Sequence, residues 1–127
     1  MKKLHFILCL CFISLLGCES SDNGDSPLSN EEKIIGNWEG YLMIHAGSGE
    51  PSSFEPGEKI MEFKPGGMLV LTEFGYISYL TYIISGDIIE TRRENGTVFV
   101  RYRIVQLDSQ ELTLDLMDGR IWHYRRM

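Results

Sequence analysis

The chain reads as an all-β domain: an eight-stranded antiparallel up-and-down meander that closes into a barrel, carried behind a cleaved signal peptide. Three observations predict this. After Asn30 no long stretch shows a helical period, whereas short runs of period-two alternation recur. The runs are separated by compact turn chemistry at Pro65-Gly66-Gly67, Gly86-Asp87, Asn95-Gly96 and Asp118-Gly119. Connections this short place each strand beside its sequence neighbour, and a meander with one apolar face loses its exposed edges by closing. A two-sheet sandwich is the alternative architecture for the same strands.

The elements follow in order. Ser29-Asn30-Glu31-Glu32 has the spacing of a capping box and opens one short helical turn. Strands are expected at 37–45, 59–64, 68–73, 76–85, 88–93, 97–107, 111–117 and 120–125. The segment 46–57, Ala-Gly-Ser-Gly-Glu-Pro-Ser-Ser-Phe-Glu-Pro-Gly, is the one long loop. Register follows from the turns. Asn95-Gly96 as a two-residue turn sets Thr91 opposite Val100 and Ile89 opposite Tyr102. Ile89, Val98, Val100, Tyr102 and Ile104 then share the inner face, and Glu90 faces Arg101 outside. Gly86-Asp87 sets Ile84 opposite Ile89 and Tyr82 opposite Thr91, the same inner face reached from a second turn. Asp118-Gly119 as a two-residue turn pairs Leu116 with Ile121 and Leu114 with His123, so Ile121, His123 and Arg125 are expected inside. Keeping 97–107 and 111–117 in phase requires an odd loop or a bulge near Asp108-Ser109-Gln110.

The N-terminal segment carries a different message. Met1-Lys2-Lys3 precedes an apolar run from Leu4 to Leu16, shorter than the ~20 residues a membrane-spanning helix needs. The run ends in Leu15-Leu16-Gly17-Cys18, which resembles the lipobox of bacterial lipoproteins. That resemblance implies cleavage after residue 17, lipidation of Cys18, and attachment to the cell envelope through acyl chains. An ordinary secretory signal with an incidental cysteine is the alternative. Cys9 and Cys11 would leave with the signal, so Cys18 has no disulfide partner within the chain. Residues 18–29 are polar and acidic and read as a flexible tether. The acids after Cys18 resemble a sorting signal to the outer membrane of Gram-negative bacteria, and an ordinary solvated linker has the same composition. The 127-residue chain has 12 basic and 18 acidic side chains. Removal of Lys2 and Lys3 leaves 10 against 18, a charge of −8, which argues against nucleic acid as a partner.

Gly36-Asn37-Trp38, opening the first strand after a helical turn, resembles the Gly-x-Trp signature of lipocalins. The segments MEFKPGGML, YIISGDII and YRIVQLDSQELTLDL resemble short lipocalin-like lipoproteins of Gram-negative bacteria. The resemblance implies a barrel floor closed by Trp38, with an Arg of the last strand packed across the indole as a cation–π lid. Arg125 is in phase with the expected inner residues and takes that role; Arg126 is the alternative. It also makes 46–57 the lid loop of the open end, with Phe54 dipping into the mouth.

No nucleophile elbow, phosphate loop or metal-ligand spacing stands out, so a binding protein without cofactor or metal is expected rather than an enzyme. Leu42, Tyr76, Leu80, Tyr82, Ile89, Tyr102, Ile104 and Leu114 are the expected lining of a cavity for a small apolar or amphipathic ligand. The cavity is placed near Tyr82 and Tyr102, beneath the 46–57 loop. A filled barrel is the competing reading. In that case the outward Tyr79, Ile83 and Phe99 form an apolar patch for a protein partner.

Overall fold

The computed structural model describes residues 28–127. Cys18, the signal segment 1–17 and residues 18–27 of the expected tether lie outside the described residues.

Helix α1 (Asn30–Lys33) is a single turn. The Ser29 hydroxyl accepts from the Glu32 N–H, and the Glu32 carboxylate accepts from the Ser29 N–H at 3.0 Å, the reciprocal cap that the Ser-x-x-Glu spacing dictates. Nine strands follow: β1 (Gly36–His45), β2 (Pro51–Ser53), β3 (Lys59–Lys64), β4 (Met68–Glu73), β5 (Tyr76–Ser85), β6 (Ile88–Arg92), β7 (Val98–Leu107), β8 (Glu111–Asp115) and β9 (Arg120–Arg126). Strands β1 and β3 to β9 pair antiparallel in sequence order, and β9 pairs back onto β1. The result is a closed eight-stranded barrel, not a sandwich.

Strand β2 lies inside the segment expected to be a plain loop. The β1–β3 ladder ends at Glu39, which leaves the upper half of β1 without a neighbour on that side. The chain folds back and pairs Pro51–Ser53 with Leu42–Ile44, covering an edge that would otherwise expose its amides.

Two of the expected registers hold. Ile84 faces Ile89 across Gly86-Asp87, and Ile89 faces Tyr102. The second is reached by compensation. The β6–β7 turn is one residue longer than expected, because the Arg93 N–H donates to Thr97 O and Arg92 pairs with Val98. Phe99 is then bulged, and Thr91 meets Val100 as expected. The Thr91 hydroxyl stitches the bulge, donating to Val100 O at 2.7 Å and accepting from Val100 N–H at 3.0 Å. Val98 therefore faces out with Arg92, and Phe99 packs against the core rather than standing on the outer face.

The phase of β9 is a correction. The β8–β9 turn contains three residues, with Met117 and Gly119 at positive φ, so Asp115 pairs with Ile121 and Leu114 with Trp122. A one-residue slip moves every side chain of a strand to the opposite face. Trp122 and Tyr124 are consequently buried inside, while Arg125 is exposed and Ile121 and His123 turn outward, half-buried. His123 meets Thr113 Oγ1 through Nδ1 at 3.3 Å and lies against Tyr41 on the outer wall. A second slip sits in β1, where Gly40 pairs with Tyr124 but Leu42 with His123, leaving Tyr41 bulged. Beyond it Met43, opposite Trp122, packs on the core, and Leu42 faces outward rather than into the barrel. The phase change expected between the strands now labelled β7 and β8 is made within β7, by a bulge between Ile104 and Gln106.

Candidate functional site

One end of the barrel is sealed. Trp38 is fully buried and its Nε1–H donates to Ile34 O at 2.8 Å. The guanidinium 4.1 Å from its ring centroid belongs to Arg126, not Arg125. Arg126 also donates to Ile35 O at 2.6 Å, Lys33 O at 2.9 Å and Ser109 O at 3.1 Å, tying β9 to the end of α1. Gly36 makes this possible: its φ is +131°, and a Cβ there would lie 2.5 Å from Arg126 Nη1. Arg125 instead covers the Tyr41 ring on the outside, 4.5 Å from its centroid. Above the floor Phe63 and Tyr82 meet edge to face at 5.0 Å, and the Tyr82 hydroxyl donates to Lys64 O at 3.0 Å. Tyr82 therefore fills the lower barrel, away from the cavity that the sequence reading placed beside it. Leu80, Ile89 and Leu114 pack in the same core, with Ile104 half-buried against it.

The other end is open and holds a cavity of about 340 Å³. Its walls come from the upper ends of the strands: Lys59 of β3, Glu73 of β4, Phe99 and Tyr102 of β7, and Trp122 and Tyr124 of β9. Lys59 is the central charged group. Its side chain is 5% exposed and it is paired with Glu73. The ammonium sits 3.8 Å from the Trp122 ring centroid and 5.9 Å from those of Phe54 and Phe74. Burial pushes the Lys59 ammonium below its ordinary range, with the Glu73 carboxylate opposing the shift. Burial pushes the Tyr102 and Tyr124 hydroxyls well up, so both stay protonated. Gly40 lets this cluster assemble, since a Cβ there would lie 2.9 Å from Lys59 Cβ and 3.2 Å from the Tyr124 ring.

Two features of the mouth stand apart. The Trp122 Nε1–H is buried with no hydrogen-bond partner, a state that costs about 1–3 kcal/mol. Phe54, carried on the loop after β2, lies parallel on Trp122 at 5.2 Å and 3°, and edge-on to Phe74 at 6.0 Å. Phe54 is the residue of the segment 46–57 that packs on these two rings. Phe74, at φ +52°, forms the β4–β5 turn with Gly75 and closes the same rim.

The remaining sequence candidates scatter. Tyr76 has the inward phase of Leu80 and Tyr82 but stands at the strand end beyond the barrel rim, 81% exposed. Tyr79 and Ile83 face outward, 68% and 58% exposed. A groove of about 550 Å³ lies between β5 and the β6–β7 turn, lined by the inward-phase Ser78 and Leu80 as well as by Tyr79, and it shares Phe99 with the mouth. Lys59, Glu73, Phe74, Trp122 and Tyr124 were not anticipated as cavity residues. For Lys59 a signal existed: it alternates with Met61 and Phe63, both buried, so its position is inward by phase. Its charge spoke against that placement, and only Glu73 and the aromatic cage make it tolerable.

Two solved structures match this architecture. A lipocalin-like protein from Bacteroides uniformis ATCC 8492 superposes with a TM-score of 0.60 at 13% identity, over 75% of this chain and 99% of that one. An uncharacterized protein from Bacteroides eggerthii DSM 20697 does so with a TM-score of 0.57 at 11% identity, over 73% and 98%. No protein-family model and no curated protein matches the chain. The closed barrel, the capped Trp38 floor and these neighbours together show a lipocalin-like fold.

Proposed function

We propose that this chain is a lipid-anchored cell-envelope protein that holds a small amphipathic molecule in the mouth of its barrel. The observation that carries the binding reading is the cavity at the barrel mouth. The floor is packed solid, while the mouth keeps about 340 Å³, within the size range of small-molecule sites, walled by aromatic rings and a few convergent polar groups. A lipocalin-like fold accords with ligand binding in general. The anchoring rests on Leu15-Leu16-Gly17-Cys18, and the outer membrane is its proposed location, on the periplasmic or the cell-surface face.

An apolar fluorescent probe is expected to bind the purified domain, with Tyr102→Trp lowering its affinity about tenfold by filling the mouth. A domain that binds no apolar probe, and whose organic extract contains no small molecule by mass spectrometry, would contradict the reading. Cys18→Ala is expected to move the protein from the membrane to the soluble fraction. Persistent fatty-acid labelling of that variant would place the anchor elsewhere.

A second reading has one specific observation in its favour. Ile77, Tyr79 and Ile83 are all exposed along one face of β5, more apolar side chain than a solvated strand face needs. This supports a protein-interaction face. Replacement of Tyr79 and Ile83 by Ser is expected to abolish partner recovery without changing probe binding.

A further inference from the structure

We infer that the mouth is built for a compact organic anion: one flat apolar body with a single acidic head directed at Lys59. The inference rests on the mouth being the ligand site and adds the class of ligand. It comes from counting what the wall offers. Lys59, Arg120, Trp122, Tyr102 and Tyr124 are donor-bearing residues, whereas Glu73 is the only carboxylate among the lining residues. The Glu73 carboxylate is engaged by Lys59, and Arg120 is held at the rim by Asp118 through Nε at 3.0 Å and Nη2 at 2.6 Å. Lys59 keeps further N–H donors beyond the one given to Glu73. The Trp122 N–H beside it has no acceptor at all. A ligand that brings an acceptor satisfies this wall; one that brings a donor competes with Lys59 for Glu73.

Shape sets the rest. Trp38, Phe63 and Tyr82 fill the barrel below, so a long acyl chain has nowhere to extend. The cavity holds the volume of about eleven waters, taking about 30 Å³ for each. The parallel contact of Phe54 on Trp122 shows that this wall accepts a flat ring.

The test compares two probes with one aromatic frame, anilinonaphthalene sulfonate and its uncharged parent phenylnaphthylamine, titrated into the purified domain. The sulfonate is expected to bind about tenfold more tightly. The double variant Lys59→Met/Glu73→Gln, which removes both charges together, is expected to bring the ratio of the two affinities close to one. Trp122→Phe keeps an aromatic ring and removes the N–H, and is expected to lower the ratio of sulfonate to neutral-probe affinity by about threefold. It serves independently if the double variant does not fold, as read by circular dichroism. Equal binding of the two probes, or a preference that survives in these variants, overturns the acidic-head inference and leaves the cavity reading standing. Failure of both probes to bind the unaltered domain overturns the cavity reading itself.

Discussion

The two ends of this barrel use the same pair of groups, a cation on an indole, and use it differently. At the floor, Arg126 covers Trp38 and every polar atom of the pair finds a protein partner. At the mouth, Lys59 covers Trp122, the indole N–H has no partner, and a cavity adjoins the pair. Satisfied hydrogen bonds and close packing make the floor a stability element. The unsatisfied donor and the adjoining volume set the mouth apart from the floor. The chemistry of a cation–π pair therefore does not assign a role; its hydrogen-bond completeness and its packing do.

The largest break in this contrast is expected from Trp38→Ala, which removes a fully buried indole and costs about 3–5 kcal/mol in urea unfolding. Trp122→Ala is expected to cost about 1–2 kcal/mol, because the neighbouring cavity already lacks packing partners. Equal costs would erase the distinction between the ends. Next in size is Arg126→Ala, at about 2 kcal/mol through three lost carbonyl contacts and the cation–π face. Arg125→Ala stays within about 0.5 kcal/mol, as for other exposed side chains. A double-mutant cycle with Trp38 is expected to be non-additive for Arg126 and additive for Arg125.

Alkaline titration separates the mouth groups by sign. Burial raises the Tyr102 and Tyr124 hydroxyls above their ordinary value of 10.0, so the native state keeps protons that the unfolded chain loses. Their contribution is fully present below pH 10 and declines above it, on the order of 1 kcal/mol per hydroxyl by pH 11. Lys59 acts oppositely, because its lowered pKa is a penalty at neutral pH that fades as pH rises towards its ordinary value of 10.5. Urea midpoints from pH 8 to 11 are expected to fall for the unaltered domain. Tyr102→Phe/Tyr124→Phe flattens that limb, and a limb left unchanged would remove these hydroxyls from the account. Phe54→Ala is expected to cost about 1 kcal/mol or less from one lost stacking contact, with faster probe association in stopped flow. Unchanged association would mean that Phe54 does not gate the mouth.

The places where sequence and structure part company share a cause. The strand expected at 120–125 was found whole, yet its faces were inverted, because Met117 adopts a left-handed φ that nothing local demands of a methionine. The Phe99 bulge and the longer β6–β7 turn cancel, so a correct register for Ile89 and Tyr102 came with a wrong side for Val98 and Phe99. Tyr41 carries no bulge signal in its own sequence; the slip lets Trp122 and Tyr124 enter while β1 still pairs with β9. Each one-residue event reverses the faces of the strand residues beyond it, and these three decide which side chains line the mouth.

By itself the sequence determined the strand count of the wall, the order of the meander and the Ser29 cap. Period-two alternation, turn residues and steric freedom are properties of a few adjacent residues, so they can be read locally. Only the tertiary structure decided which arginine takes the floor, which aromatics reach the mouth, and that Lys59 is buried among them. Those outcomes depend on closing β9 onto β1 around a shared interior, where the volume left by each strand constrains the phase of strands far away in the chain.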